Sequence, residues 1–356
     1  MSYPAVVLSK ARGAVLQQNP QKPYPPTPGP DEVLIRNVAV ASNPKDWKLS
    51  KVGVFEGIEG NDVAGYVEAV GANVKEFKKG DRVGAFTKMA TNNTYGAYQT
   101  HSVSPSWTTF QLGPNTSFES AATLPLAVMT AAIGLFRKIG LVEPTPDGKP
   151  NPKAQGQAVL VWGASSSVGA YAVQLAHLAG YKVIGIAGAG ADLAKSLGAT
   201  FVVDYRSPDV RGAIKSAIAS VGLPLVGAFD AHADKSGSTA SYTELAQALQ
   251  PRGGIVTVVL NVPKKAAAEL PKSVQVPWTG VGSAHLQGPK GDAEFARRWF
   301  HQLAKWVDQG IFKPNVVKVV PGGLAGVREG LGLMEAGKVS GVKLVYRIDE
   351  TPKGKL

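Results

Sequence analysis

A short turn between an apolar strand and an amphipathic helix carries the clearest chemistry in this sequence. The apolar run Ala158–Trp162 predicts a strand, and helical periodicity over residues 168–179 follows directly. Small residues at such a turn let the backbone approach a pyrophosphate, which the N-terminus of the helix then faces. The sequence therefore predicts dinucleotide binding by the turn residues Gly163, Ala164, Ser165, Ser166, Ser167 and Val168.

The turn is a degenerate form of the dinucleotide fingerprint. A strict G-x-G-x-x-G ending at Gly169 would need glycine where Ala164 and Ser166 stand, so the pattern is G-x-x-S-x-x-G. Serine hydroxyls can donate to phosphate, which compensates in part for the lost glycines. A plain structural connection is the alternative interpretation. A nucleophile elbow is excluded, because the closing glycine of G-x-S-x-G is missing.

The end of the next predicted strand, Lys182–Ile186, bears on which dinucleotide binds. An NAD-specific site expects a carboxylate there, about 20 residues after the turn, for the ribose hydroxyls. This strand runs instead into Ala187-Gly188, and the first acid is Asp192. Lys195 and Tyr205 lie downstream and suit a 2′-phosphate, so the sequence favours NADPH over NADH. The alternative for Lys195 is a solvated helix lysine.

Metal ligation is poorly supported by the residue types. The chain has no cysteine, which excludes disulfides, thiolate zinc sites, cysteine-ligated iron–sulfur clusters and cysteine nucleophiles. Its five histidines are scattered without the spacing of metal ligands: His101, His177, His232, His285 and His301. We expect each of them to be a surface residue or a buried polar residue with a hydrogen-bond partner.

Two kinds of element must position these residues. At 356 residues the chain predicts two domains, since domains usually hold roughly 100 to 200 residues. Residues 1–125 contain short apolar runs separated by turn signals, which predicts an antiparallel β domain. From about Thr123 strands alternate with helices, which predicts an α/β, doubly wound parallel sheet. A proline-rich loop is predicted at Glu143–Gly156, and a strand at Val342–Ile348.

Composition and charge exclude several classes of protein. With 44% hydrophobic and 18% charged residues the chain is an ordered globular protein. The net charge of +12 lies in scattered pairs, so we expect no nucleic-acid binding, although an acidic partner remains compatible. The most apolar stretch, Leu124–Phe136, is too short for a bilayer, and no signal sequence opens the chain. We therefore expect no membrane association and a cytoplasmic location.

Further motifs follow one another along nearly the whole chain: Val33–Arg36, Asn43-Pro44-Lys45-Asp46-Trp47-Lys48, Gly60–Val70, Phe77–Val83, Gly96-Ala97-Tyr98, Leu124–Leu135, Lys195–Ala199, Asp204-Tyr205-Arg206 and Gly341–Val345. In this order, with the serine-rich turn, they resemble the medium-chain dehydrogenase/reductase superfamily and its zinc-independent enoyl reductase and quinone oxidoreductase branch. The segments at residues 43–48 and 163–169 look most like the fungal trans-acting enoyl reductases of polyketide biosynthesis.

The resemblance implies a GroES-like β-barrel catalytic domain at 1–125, completed by 312–356, and a Rossmann NADP-binding domain at 126–311. Zinc-dependent members carry a cysteine near Asn43 and a Gly-His-Glu where this chain reads Gly60-Asn61-Asp62. The structural zinc loop, which is rich in cysteine, is missing as well. Hydride delivery without a Lewis acid fits reduction of an activated C=C better than alcohol oxidation.

The resemblance also implies residue roles. Asn43, Lys45 and Thr130 are the expected catalytic residues, although Asn43 could merely cap a turn and Thr130 could merely lie on a helix face. Pro44, Asp46, Trp47 and Lys45 should line the nicotinamide side, and Thr130 should approach the carboxamide or ribose. The remaining expected cofactor contacts are Gly188, Lys195 and Tyr205 toward the 2′-phosphate end and Leu260, Gly341, Val342 and Lys343 toward the nicotinamide, with Leu260 alternatively a core residue.

The expected function is NADPH-dependent hydride transfer to the C=C of an α,β-unsaturated thioester or ketone, the substrate being free or bound to a carrier protein of a polyketide synthase. No tyrosine follows the Asn-Pro segment, where Val54 and Phe55 stand, so water or Lys45 is left as the proton source. The alternatives are a quinone or small-enone oxidoreductase and a non-catalytic nucleotide-binding member of the superfamily. A monomer and a homodimer are both compatible with the sequence.

Overall fold

The computed structural model describes residues 3–233, 235–236 and 239–353. These form two compact units: one comprises the described residues up to Leu126 and from Gly282 onward, and the other is Ala127–Val281. The last three residues of the predicted C-terminal tail, 354–356, lie outside the described residues.

The N-terminal part of the chain is mainly β structure. Its elements are β1 (Pro4–Ser9), β2 (Gly13–Gln18), β3 (Glu32–Ala41), α1 (Pro44–Lys51), β4 (Gly57–Ile58), β5 (Asp62–Val70), β6 (Arg82–Phe86), β7 (His101–Pro105), β8 (Thr109–Gln111), α2 (Phe118–Ala122) and α3 (Pro125–Ala132). A π-helical segment, Ile133–Ile139, continues α3. Short 3-10 turns lie at Asn93–Tyr95 and Ser106–Thr108.

The middle of the chain alternates strands and helices, as the sequence predicts. Its elements are β9 (Ala158–Trp162), α4 (Ser167–Ala179), β10 (Lys182–Ala187), α5 (Ala191–Ser196), β11 (Ala199–Asp204), α6 (Val210–Val221), β12 (Leu225–Asp230), β13 (Lys235–Ser236), β14 (Thr239–Ala240), α7 (Ser241–Ala248), β15 (Gly254–Val258), α8 (Lys264–Ala268) and β16 (Val274–Gln275). The proline-rich loop contains one 3-10 turn, Pro152–Ala154. The predicted element order of this half is confirmed.

The chain then returns to the first unit. A 3-10 segment, Val281–His285, leads to α9 (Ala293–Asp308), β17 (Val317–Val319), α10 (Val327–Glu335) and β18 (Lys343–Arg347). Two more 3-10 turns lie at Gly323–Gly326 and Ile348–Glu350. None of the helices in the described ranges combines the length and the apolar character needed to cross a membrane.

The two units have different sheets. In the second unit, six parallel strands are ordered β11-β10-β9-β12-β15-β16. In the first unit, β3 is the central strand of a sheet ordered β17-β18-β3-β5-β6-β8, with β7 also paired to β3, and β2-β1-β4 form a smaller antiparallel sheet. The C-terminal strand β18 pairs antiparallel with β3, from Val345 opposite Ala41 to Arg347 opposite Ala39. This confirms the α/β class with a GroES-like domain and a Rossmann domain.

One segment differs from the predicted domain boundaries. The sequence places residues 282–311 with the nucleotide-binding domain, whereas these residues belong to the first compact unit. The reason is the apolar stripe of α9, since Phe300 stacks on Phe110 of β8 with ring centroids 5.2 Å apart. The stripe is buried core, with Phe295, Trp299, Leu303 and Trp306 all at most 9% exposed.

Candidate functional site

The serine-rich turn of the second unit is compact and closely bonded. Gly163 adopts a left-handed backbone with φ of 70°, which a residue with a side chain rarely adopts. The Ser166 N–H donates to the Gly163 carbonyl at 2.8 Å, and the Ser166 hydroxyl caps α4 by accepting from the Gly169 N–H at 3.1 Å. Ser166 therefore begins the helix at the place where the fingerprint predicts phosphate binding.

Gly169 has no room for a side chain. A Cβ at this position would lie 2.0 Å from the carbonyl oxygen of Gly163, so α4 packs directly against the turn. The N–H groups in the first turn of a helix have no acceptor within the helix and attract anions. The cradle of small residues at 163–169 thus fits the pyrophosphate of a dinucleotide.

Three strand ends of the parallel sheet converge beside this turn, because β9, β10 and β11 are neighbours. Ser165 packs on Gly190, where a Cβ would lie 2.3 Å from the serine Cβ. The ring of Tyr205 packs on Gly188, where a Cβ would lie 2.8 Å from the tyrosine Cε1. The structure therefore brings together Ser165, Gly188 and Tyr205, three residues that the sequence predicts as cofactor contacts.

The charged residues near these strand ends are exposed. Lys195 lies in the last turn of α5, and Asp192 lies in its first turn. Asp204, the last residue of β11, accepts two hydrogen bonds from the Arg206 guanidinium, at 2.9 and 2.6 Å, and the pKa of this carboxyl falls to about 2 because of Arg206. The carboxylate of Asp204 is thus already neutralised by its own neighbour.

Two further predicted residues of the second unit lie near helix and strand ends. Thr130 lies in α3 and is 5% exposed. Leu260 lies two residues beyond the end of β15 and is only partly buried, so it is not the fully buried core residue of the alternative interpretation.

In the first unit, Asn43 begins α1 and is 3% exposed. Its backbone N–H donates to Oδ2 of Asp46 at 2.8 Å, the carboxylate half of a capping box, and Pro44 occupies the first helical position. Trp47 is partly buried, and the ammonium groups of Lys48 and Lys51 lie 5.7 and 5.6 Å from its ring centroid. Asn43 therefore caps α1, as the alternative interpretation predicts, but this role explains only the contacts of its backbone and not those of its side chain.

The side chain of Asn43 contacts two ionic groups. Its Oδ1 accepts from Nζ of Lys343 at 2.6 Å, and its Nδ2 donates to Oδ2 of Asp62 at 2.7 Å. Lys343 Nζ also lies 3.0 Å from Asp62 Oδ2. Lys343 opens β18 and Asp62 opens β5, so the pairing of both strands with β3 brings the three residues together. The neighbouring predicted residues, Gly341 and Val342, precede β18 and are partly buried.

Lys45 lies in a second cluster of charges. Its ammonium bonds to Glu59 Oε2 and lies 3.0 Å from Asp46 Oδ1, and its side chain is 18% exposed. Burial alone would lower the pKa of Lys45, but the carboxylates of Asp46 and Glu59 outweigh it and raise that pKa. Burial raises the pKa of Glu59, and Asp46 adds to this effect while Lys45 opposes it. Lys45 therefore remains an ammonium at neutral pH.

Two buried tyrosines close this cluster. The Tyr98 hydroxyl donates to Asp46 Oδ2 at 2.6 Å, and the Tyr346 hydroxyl lies 2.5 Å from Oγ of Ser42. The two rings meet edge to face with centroids 6.1 Å apart. Burial raises the pKa of both phenols, so both stay protonated. Tyr98 is thus fixed as a donor to a carboxylate.

Sequence reasoning missed Glu59, Asp62, Tyr98 and Tyr346 as members of these clusters. From the sequence, Asp62 is identified only as the replacement of a metal ligand. A signal was present in residues 59–62, where two acids stand immediately before the apolar run of β5 and so must be buried or paired. Their lysine partners could not be identified from spacing, because Lys343 lies far away in the sequence.

The donor set does not fit a catalytic zinc ion. Asn43 and Asp62 surround the Lys343 ammonium, and the Asn61 amide donates to the Lys88 carbonyl at 2.9 Å. A second cation between Asn43 and Asp62 would face the charge of Lys343 at close range. Among the residues that the structure describes, no group of three or more His, Cys, Asp or Glu side chains is placed to hold a metal.

Two family profiles match the chain. The "Alcohol dehydrogenase GroES-like domain" family matches residues 29–125, and the "Zinc-binding dehydrogenase" family matches residues 167–288. The first match lies in the unit that carries Asn43, and the second begins inside the serine-rich turn.

Full-length relatives agree with these matches. The chain is 33% identical over 334 residues to a zinc-type alcohol dehydrogenase-like protein of Schizosaccharomyces pombe, covering 91% of this chain and 94% of the relative. It is 32% identical to the trans-enoyl reductase ACTTS2 of Alternaria alternata, with 91% and 94% covered. Among solved structures, the CurK enoyl reductase shares the fold with a TM-score of 0.74 at 21% identity, covering 98% of this chain and 99% of that chain.

Proposed function

This chain belongs to the medium-chain dehydrogenase/reductase superfamily of oxidoreductases, with its NAD(P)-binding Rossmann fold, and from that premise we propose that it is a zinc-independent, NADPH-dependent enoyl reductase. The reaction transfers a hydride to the β-carbon of an α,β-unsaturated thioester or ketone and a proton to the α-carbon. The product is the saturated compound, and bound NADPH would supply the hydride.

The observation that carries the proposal is the Lys343 ammonium, 2.6 Å from Asn43 Oδ1. The resemblance implies that zinc-dependent members carry metal ligands near Asn43 and where this chain has Asn61 and Asp62, and here the ammonium of Lys343 contacts both Asn43 and Asp62. Alcohol oxidation in such enzymes relies on a Lewis acid to stabilise an alkoxide. An activated alkene needs only a donor to its carbonyl oxygen, because conjugation already directs the hydride to the β-carbon.

The residues of the first unit have distinct roles in this proposal. Asn43 donates a hydrogen bond to the substrate carbonyl, which stabilises the enolate that forms as the β-carbon is reduced. Lys45 donates the proton to the α-carbon and regains it from water. The carboxylates of Asp46 and Glu59 keep Lys45 charged and hold its ammonium in one place.

The residues of the second unit hold the dinucleotide, which when bound supplies the hydride. Gly163–Val168 bind its pyrophosphate, and Thr130 contacts its carboxamide or ribose. Lys195 and Tyr205 bind the 2′-phosphate, and Leu260 lies against the nicotinamide end. The preference for NADPH is supported by Tyr205, whose ring packs on Gly188 at the point where an NAD-specific strand end would place a carboxylate.

A substrate on a carrier protein is part of the proposal. Two observations support it, the trans-enoyl reductase of Alternaria alternata that covers 91% of this chain and the net charge of +12. Carrier proteins are generally acidic, so long-range attraction would speed their encounter with this chain. The apparent KM for a carrier-bound substrate should then rise steeply with salt, whereas the KM for a small thioester should not.

The test follows NADPH oxidation by absorbance against crotonyl thioester and a simple quinone, with EDTA present and NADH as the cofactor control. Thioester turnover that EDTA leaves unchanged supports the zinc-free enoyl reductase. Quinone turnover alone would replace it with a detoxifying oxidoreductase. Cofactor binding without turnover of any substrate would favour a non-catalytic nucleotide-binding protein, and loss of activity with EDTA would contradict zinc independence.

A further inference from the structure

Three buried polar groups of the first unit form a closed triangle of contacts. Lys343 Nζ donates to Asn43 Oδ1 at 2.6 Å, Asn43 Nδ2 donates to Asp62 Oδ2 at 2.7 Å, and Lys343 Nζ lies 3.0 Å from Asp62 Oδ2. None of the three side chains is more than 3% exposed. Burying an ion pair costs desolvation, so its retention around one amide calls for an explanation.

The triangle allows the Asn43 amide only one orientation. An ammonium can only donate and an ionised carboxylate can only accept, so Oδ1 must face Lys343 and Nδ2 must face Asp62. Asp62 cannot swing away, because its Oδ1 accepts the Leu126 N–H at 2.6 Å. The backbone of Asn43 is held as well, since its N–H donates to Asp46 at 2.8 Å. The amide plane is therefore fixed at both ends.

One hydrogen of the Asn43 amide remains outside the triangle. Nδ2 carries two hydrogens, and the contact with Asp62 uses one of them. The other lies in the same fixed plane.

We propose that Asp62 and Lys343 are positioning residues for the reduction: they hold the Asn43 carboxamide so that its second N–H donates to the carbonyl oxygen of the substrate. This inference rests on the proposed function, and it names the two residues that align the hydrogen-bond donor to the substrate carbonyl. The pair adds no net charge, so it orients the donor without binding the substrate anion itself. A donor already aligned with the developing oxyanion needs no reorganisation during the reaction.

Three variants test this inference. Asn43→Ala removes the donor and leaves the Asp62–Lys343 pair intact, and we expect kcat to fall about 100-fold, as for loss of one oxyanion donor. The neutral double variant Asp62→Asn/Lys343→Met leaves Asn43 in place but unoriented, and kcat should fall roughly tenfold. Lys343→Arg should stay within about threefold of wild type, because a guanidinium can donate to both partners. In all of them the NADPH Kd, measured by fluorescence, should change by less than about twofold.

The matched control is Asn37→Ala. Asn37 is also 3% exposed in the first unit, and its amide donates to Ser102 Oγ and the Gln99 carbonyl at 2.8 Å. This variant should lower the melting temperature and leave kcat unchanged, which separates general loss of a buried amide from loss of an oriented donor.

Three results would contradict the inference, and they have different meanings. Wild-type protein that reduces the thioester while Asn43→Ala and the double variant keep its kcat overturns the inference alone. A double variant that weakens NADPH binding tenfold with unchanged kcat would show that Lys343 is a cofactor ligand, which also overturns it. Wild-type protein that reduces no activated alkene overturns the proposed function, and the inference with it.

Discussion

The candidate binding residues of the first unit and those of the second unit are arranged in opposite ways. In the second unit, the turn at residues 163–169 consists of small residues and offers the backbone groups and hydroxyls of one continuous segment. In the first unit, Asn43 contacts side chains that stand 19 and 300 positions away in the sequence. A backbone cradle tolerates changes in its side chains if they stay small. A buried ionic cluster, by contrast, is left with an uncompensated buried charge when any one of its charges is removed.

The largest predicted effect concerns the cradle, where Gly169→Ala places a Cβ 2.0 Å from the Gly163 carbonyl oxygen. The turn must move to relieve this overlap, and overpacking of this kind costs about 3 kcal/mol, which would weaken NADPH binding about a hundredfold. Fluorescence titration of NADPH measures the loss.

The control for this variant is Gly332→Ala in α10. A Cβ there has nothing within 4 Å, and the position is exposed. Alanine in a helix should stabilise the protein by about 0.5–1 kcal/mol and leave NADPH binding unchanged. Equal NADPH affinity in both variants would contradict the idea that the close approach at Gly169 shapes the cradle.

The same contrast explains how much the sequence could predict. The strand at 158–162, the serine-rich turn and the following helix are local, so hydrophobic periodicity and turn chemistry predicted them correctly. The place of α9 and the partners of Asn43 depend on which strands pair, and a pattern along the chain contains no such information. Glu59 and Asp62 show the limit, because their position before an apolar run signalled burial but gave no sign of Lys45 or Lys343.

A comparison of two tyrosines tests how much the charged cluster of Lys45, Asp46 and Glu59 contributes to stability. Both rings are fully buried, but Tyr98 donates to the Asp46 carboxylate at 2.6 Å, whereas Tyr346 bonds to the Ser42 hydroxyl at 2.5 Å. Tyr98→Phe should lower the free energy of unfolding by about 2–3 kcal/mol and Tyr346→Phe by about 1 kcal/mol, since hydrogen bonds to charged groups contribute more. Urea unfolding measures both, and a larger loss in Tyr346→Phe would show that Asp46 is not the dominant acceptor.

Acid should affect the two units in opposite directions. Burial lowers the pKa of His285 in the first unit to about 4, from 6.5, and burial raises the pKa of Asp230 in the second unit. As the pH falls from 6.5 to 4 the unfolded chain binds a proton at His285 before the folded chain does, so the first unit loses about 2 kcal/mol of stability, allowing for partial exposure of the ring. Asp230 instead binds a proton in the folded state at a higher pH than in the unfolded chain, so acid removes the free-energy cost of burying its charge.

Hydrogen exchange resolved by peptide and corrected for intrinsic rates, at pH 7 and pH 5, measures this difference. The variant His285→Gln keeps a donor for the Phe86 carbonyl, which His285 Nε2 contacts at 3.0 Å, and removes the titration. Its first unit should lose less protection at pH 5 than that of wild type. The same acid loss in both proteins would assign the effect to other groups.

The smallest predicted effect concerns Lys195, an exposed residue of α5 in the same unit as the cradle. Lys195→Ala removes an exposed ammonium from α5, and we expect NADPH to bind about tenfold more weakly, since a single charged contact to a phosphate is worth about 1.4 kcal/mol. NADH binding should not change, because NADH lacks the 2′-phosphate. Lys215→Ala, an exposed lysine of α6 in the same unit, is the control for net charge. An equal loss for both dinucleotides would mean that Lys195 acts through the fold of α5, and the preference for NADPH would then depend on Tyr205.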